Sequence, residues 1–295
     1  AASDTLAWAW LVPPIKGKWF FPEGIFWAEE PPCFSTTRGT FSKLAEEMKT
    51  AFNDKFLNRE KGCYDNGSQT SSVLPLYFGL VPEDMHKRVF EHLVNKITVE
   101  TKGHIGTGLI GGQFLNRVLA DNGRSDLAYT IAAQEDYPSW GYMISQGATT
   151  IWELWNGNTA DPAMNSGNHV MLVGDLVIWL FEDLAGICPD SEQPGFKHII
   201  MRPQPVGDLT FVKASYLSPY GMIRSHWQKK DKAFDWQITI PANTTATVYL
   251  PTTKPDQVTE SDTPIADAEG VEFIRREGDH AIYKVGSGSY RFESK

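Results

Sequence analysis

A single carboxylate, Glu153, stands in the most aromatic stretch of the chain. Residues 137–142 read Tyr-Pro-Ser-Trp-Gly-Tyr, and residues 147–157 read Gly-Ala-Thr-Thr-Ile-Trp-Glu-Leu-Trp-Asn-Gly. Trp140, Tyr142, Trp152 and Trp155 therefore gather around one ionisable group. Desolvation by such neighbours raises a carboxyl pKa and suits it to proton transfer. The rings add broad apolar faces with a donor at the edge, a combination that fits a sugar ring. The same residues also fit a glutamate that merely caps or salt-bridges within a packed loop, since structural ion pairs perturb carboxylates too.

Other candidates carry less chemistry. Glu29 and Glu30 follow Trp27, and adjacent carboxylates usually mark a solvated turn. Asp65 and Asp175 have no stronger case. His86 and His92 sit on a charged helical stretch and are expected at the surface. His104 lies in a glycine-rich loop at residues 103–108, where loops held by a scaffold commonly line pockets. The Gly106-Thr107-Gly108 run lacks the strand-glycine-helix context and the lysine of a phosphate loop. Asn66-Gly67-Ser68 and Asn243-Thr244-Thr245 fit a glycosylation sequon that is common by chance.

Composition narrows the classes. The 295 residues are 41% hydrophobic, enough for a large core in one big domain or two ordinary ones. Lys plus Arg number 27 against 36 Asp plus Glu, a net charge of −9 that argues against a phosphate-backbone binder. A neutral or cationic partner is expected, not nucleic acid. Ten tryptophans exceed what core packing alone usually needs, although each one singly is more often a core residue. Cys33, Cys63 and Cys188 lie far apart with no Cys/His ligand spacing, so neither a metal site nor a disulfide framework is expected, and no cofactor is called for. No apolar run reaches membrane-spanning length, and the start at Ala1 has no signal-peptide pattern. A soluble, processed or truncated chain is expected. Its compartment stays open, with the periplasm or exterior preferred to the cytoplasm.

The elements that must position these residues change character along the chain. Phe41, Leu44, Ala45, Met48 and Phe52 recur at helical spacing, as do Met85, Val89, Leu93 and Ile97 after Pro82. Val170, Val173, Val177, Leu180 and Leu184 keep the same period with few polar positions, which predicts a helix packed on much of its circumference and ended by Gly186. Aromatic and glycine-rich loops lie between, at residues 8–27, 62–69, 103–112 and 137–157. After Pro194 the period becomes two. Short strands are predicted at 198–201, 209–214, 222–227, 234–240, 245–250, 281–285 and 290–292. The expected fold is therefore multidomain α and β, with helical hairpins over residues 1–190 and an antiparallel β-sandwich over 191–295.

The string YPSWGYMISQGATTIWELWNG closely resembles the motif of glycoside hydrolase family 78, the α-L-rhamnosidases. Further matches run in the family's order: YDNGSQT at 64–70, GLVP at 79–82, GHIGTG at 103–108, Asn168-His169, DLAGICPD at 183–190, PGFKHIIMRP at 194–203 and ASYLSPYG at 214–221. The resemblance implies part of an (α/α)6 toroid followed by a β-sandwich, and hydrolysis of terminal α-L-rhamnosyl bonds with inversion. In such a mechanism one carboxylic acid protonates the leaving oxygen while a carboxylate across the ring activates water. By the match to GATTIWE, Glu153 would be the general base. His169 matches a histidine that contacts the sugar, and Trp10, in a stretch similar to the family's G-D-W-L-x-P, would help wall the pocket.

Two departures accompany the matches. The family's general acid lies in an acidic segment upstream of the region that these motifs cover, and no such segment occurs here. Ala9 replaces the Asp before the Trp of G-D-W. Residues 1–190 also supply only about half a dozen helices of ordinary length, too few to close the double ring. A partial toroid, completed by further N-terminal sequence of the same protein, is expected. The alternatives are a rhamnose- or glycan-binding family member without catalysis, and another (α/α)6 glycosidase or lyase.

Overall fold

The computed structural model describes residues 32–230 and 233–294. The chain divides into two compact units at Val118 and Leu119.

The first unit is helical. It comprises α1 (Pro32–Phe56), a small hairpin of β1 (Leu57–Asn58) and β2 (Cys63–Tyr64), α2 (Gln69–Tyr77), α3 (Glu83–Asn95) and the short α4 (Leu109–Gly112). Helix α3 buries Met85, Val89 and Leu93 on one face, and Ile97 continues that row in a wider turn over Lys96–Glu100. This is the spacing an amphipathic helix requires. Tyr64 is fully buried, and burial pushes its hydroxyl up to about 12 while it donates to Asn53 Oδ1 at 2.5 Å. Helix α1 forms as its periodicity predicts, yet Phe41, Leu44 and Met48 are exposed, while Phe52 packs against Phe56 of the same helix and against Tyr64. His92 also departs from expectation. It is half-buried beside Ser72, and burial, followed by the nearby Lys96 charge, lowers its pKa.

Helix α5 (Leu115–Asp121) runs across the division. The second unit continues with α6 (Ser125–Ala132), α7 (Trp140–Ser145) and α8 (Met171–Trp179). Eleven strands follow: β3 (Ile187–Pro189), β4 (His198–Met201), β5 (Phe211–Ser218), β6 (Gly221–Lys230), β7 (Ala233–Ile240), β8 (Thr245–Pro251), β9 (Thr259–Glu260), β10 (Thr263–Pro264), β11 (Val271–Glu277), β12 (His280–Val285) and β13 (Gly288–Ser294). They form two sheets, ordered β10-β9-β13-β7-β6-β5 and β11-β12-β8-β4-β3. Every pairing is antiparallel except β4 with β8, which run parallel. Alternate residues point inward, such as Ile223, Ser225 and Trp227 on β6 and Ala246, Val248 and Leu250 on β8. Tyr283 of one sheet stacks on Phe292 of the other with ring centroids 6.4 Å apart.

Helix α8 differs from the expected all-round packing. Leu172 and Trp179 are buried, whereas Val170, Met171, Val177 and Leu180 are exposed. Its end is held firmly. The helix runs on as a wider turn over Leu180–Leu184; carbonyls at such an end lack partners within the helix, and five consecutive ones, from Glu182 to Gly186, are met by the residues that follow. Cys188 Sγ donates to Glu182 O at 2.9 Å, Gln204 N to Asp183 O at 2.8 Å, and Trp227 Nε1 to Leu184 O at 2.8 Å. Ser225 Oγ donates to Ala185 O at 2.6 Å and Arg202 N to Gly186 O at 2.9 Å. Gly186 makes the approach feasible: its φ is +75°, and a Cβ there would collide with the Arg202–Pro203 backbone.

Candidate functional site

The candidate site is built on two segments of the second unit that run side by side, residues 150–154 and 165–169. His169 N donates to Ile151 O at 2.6 Å, and Glu153 N to Ser166 O at 2.9 Å. Thr150 Oγ1 donates to Gly167 O, and Leu154 N donates to Asn165 Oδ1 at 3.1 Å. No continuous strand forms, because Gly167 and the Asn, Ser and Thr side chains substitute local bonds for a regular ladder.

Glu153 emerges from this pair of segments. Its Oε2 accepts from Ser166 N at 2.9 Å and lies 3.9 Å from His169 Nδ1. The Glu153 side chain is 41% exposed and that of His169 17%. The carboxylate is thus more open to solvent than its aromatic neighbours suggest. They turn to other partners: the Trp152 ring lies where a Cβ of Gly157 would stand, and Trp155 packs edge-on against Trp140 at 5.5 Å. Among the described residues, His169 Nε2 is buried without a hydrogen-bond partner, and so is Trp140 Nε1. Each is a polar group for which a partner is worth having.

Helix α7 places Trp140 and Tyr142. Ser139 caps it, accepting from Tyr142 N at 2.9 Å. The Tyr142 ring meets Tyr137 edge-on at 5.3 Å, and its hydroxyl donates to Asn158 Oδ1 at 3.4 Å. Gly141 must be glycine, since a Cβ would strike the backbone of Gln134 and Glu135.

The structure brings Glu153 and His169 together and joins Trp140 to Trp155. His104 belongs to the first unit. Its Nδ1 lies 2.9 Å from Thr101 O, and its Nε2 is buried with no partner among the described residues. Gln69 pins that loop, donating to Thr101 Oγ1 at 3.0 Å and to His104 O at 3.1 Å while accepting from Gly106 N at 2.8 Å. Trp10, Ala9, Glu29 and Glu30 lie outside the described residues. Asp175 is buried on α8, and Asp65 is an exposed turn residue with φ +45°. Among the described residues, no group of three or more His, Cys, Asp or Glu could hold a metal ion, and no helix is long and apolar enough to cross a membrane. Asn165 and Ser166 escape sequence reasoning; the only local cue is their place in the polar run that leads to Asn168-His169.

Comparison with known proteins identifies the family. Residues 34–184 match the model of the bacterial alpha-L-rhamnosidase six-hairpin glycosidase domain, and residues 186–263 that of the bacterial alpha-L-rhamnosidase C-terminal domain. An alpha-L-rhamnosidase of Streptomyces avermitilis is 34% identical over 258 residues, covering 85% of this chain and 24% of the relative. The crystal structure of the Streptomyces avermitilis enzyme complexed with L-rhamnose superposes with a TM-score of 0.78 at 33% identity, over 87% of this chain and 24% of that one. The structure of alpha-L-rhamnosidase from Dictyoglumus thermophilum gives 0.77 at 38% identity, over 86% and 28%. The chain thus spans about a quarter of the length of these relatives. It belongs to the bacterial alpha-L-rhamnosidase six-hairpin glycosidase family.

Proposed function

We propose that this chain is the carboxy-terminal part of an inverting α-L-rhamnosidase, with Glu153 as the general base. The observation that carries the reading is the Glu153 carboxylate itself, held by the Ser166 amide, open to solvent and 3.9 Å from His169. An ionised carboxylate only accepts hydrogen bonds, and a water bound to its free oxygen is placed to lose a proton as it attacks the anomeric carbon. His169, whose buried Nε2 has no partner among the described residues, would bind a sugar hydroxyl. Trp140, Tyr142, Trp152 and Trp155 would shape the rest of the pocket. Rhamnosides are the substrate class, as the relatives' names suggest.

The finer architecture belongs to the same proposal: residues 1–190 contribute to an (α/α)6 toroid and 191–295 form a β-sandwich. The exposed apolar residues of α1 and α8 would then be covered by helices from the three-quarters of the relatives' length that this chain does not span, since patches of this kind are rarely left open. The general acid would come from that same portion. In an inverting pair the two carboxyls stand roughly 6.5–9.5 Å apart, leaving room for the attacking water.

A second reading, glycan binding without cleavage, draws on Ala9, which stands where the resemblance places an Asp. Calorimetry with L-rhamnose and an aryl-rhamnoside assay on one preparation separate the two. Product release by the longer protein supports the hydrolase; heat of binding with no product from that protein supports the binding module.

A further inference from the structure

We infer that Asn165 is a positioning residue for the Glu153 carboxylate, an inference that rests on the general-base reading of Glu153. The carboxylate is oriented by a main-chain donor, the Ser166 amide at 2.9 Å. That amide is in turn located by the Ser166 carbonyl, which accepts from Glu153 N at 2.9 Å. Glu153 and Ser166 therefore form a closed pair, and its alignment depends on what holds the two segments on either side.

On the amino-terminal side of Glu153 the hold is duplicated, by His169 N to Ile151 O and by Thr150 Oγ1 to Gly167 O. On the other side it is the Asn165 side chain, whose Oδ1 accepts from Leu154 N at 3.1 Å. Leu154 is exposed and Asn165 half-buried. Removing that acceptor leaves the Leu154 amide to water, so little stability is lost, while the Ser166 donor gains freedom to drift. Catalytic geometry is far more sensitive than folding to such a drift: a misplacement of about 1 Å can cost on the order of 10²-fold in rate. Asn165 touches neither water nor sugar in this scheme; it acts through Ser166.

The test uses the longer protein, with kcat and KM for an aryl α-L-rhamnoside and the thermal midpoint measured for Asn165→Ala, Asn165→Asp and Glu153→Gln. Asn165→Ala is expected to lower kcat by about 10-fold to 10²-fold, to leave KM within about threefold, and to shift the midpoint by no more than about 4 °C. Asn165→Asp keeps the Oδ1 acceptor and recovers most of kcat. Should Asn165→Ala not fold, Asn165→Ser, whose hydroxyl is too short to reach the Leu154 amide, takes its place under the same criteria. A kcat within twofold of wild type in the alanine or serine variant, or a loss the aspartate does not recover, overturns the inference while a silent Glu153→Gln leaves the general-base reading intact. An active Glu153→Gln overturns both.

Discussion

His169 Nδ1 stands 3.9 Å from Glu153 Oε2, and the opposite ring nitrogen of the same histidine is buried with no hydrogen-bond partner among the described residues. One face of the imidazole thus looks to the carboxylate and the other waits for a partner. The separation is long for a direct hydrogen bond and compatible with a charge pair once the ring is protonated.

That asymmetry separates binding from proton transfer. Replacing His169 by Ala is expected to raise KM for an aryl rhamnoside by about tenfold, the equivalent of one hydrogen bond of about 1.4 kcal/mol. Steady-state kinetics on the longer protein check it; an unchanged KM would remove His169 from the sugar site.

The weld between α8 and the sheets makes Ser225 a stability determinant. Its Oγ donates to Ala185 O at 2.6 Å and accepts from Trp236 Nε1 at 2.9 Å, all buried. Ser225→Ala leaves a buried carbonyl and a buried indole N–H without partners, a loss of about 2–6 kcal/mol at about 1–3 for each group. Urea unfolding of wild type and variant measures it, and a change below about 0.5 kcal/mol would contradict this account of the joint.

Asp183 gives the same joint a pH dependence. Burial pushes its carboxyl up to about 7, with Asp121, Glu182 and Asp175 adding to the effect and Arg202 opposing it. A carboxyl whose folded pKa lies above its unfolded one favours folding while protonated, and that advantage is lost as pH rises from about 4 through about 7. Asp183→Asn keeps the Oδ1 acceptor that Gln204 Nε2 uses at 2.9 Å and removes the titration. The variant is therefore expected to gain on wild type as pH rises from 5 to 8, by on the order of a few kcal/mol. Paired thermal melts at the two pH values decide it. A constant difference would mean that Asp183 does not titrate in this range.

Much of this architecture is legible in the residues alone, for reasons that differ by element. Helix α3 declares itself because Met85, Val89, Leu93 and Ile97 all face one core. Strands β6, β8 and β12 do so because one face is buried and alternation survives. Strand β11 does not, since Val271 alone of its seven residues is even half-buried and no period is imposed. Helices α1 and α8 are legible as helices, while which of their apolar residues find cover depends on contacts that periodicity does not encode. The importance of Glu153 follows from its company and from the motif. Its openness does not, because the turn of Trp152 toward Gly157 and of Trp155 toward Trp140 is a tertiary choice. Bonds such as Trp227 to Leu184, 43 residues apart, are equally out of reach.

Hydrolysis of an aryl α-L-rhamnoside by the longer protein, compared between wild type and Glu153→Gln with folding verified by thermal melting, bears most directly on the role of this carboxylate. The glutamine keeps the shape and an acceptor oxygen for the Ser166 amide but is a far weaker base, so turnover is expected to fall by about 10²–10⁴ or more with an unchanged melting temperature. Near-normal turnover by the folded variant would contradict a general-base role for Glu153.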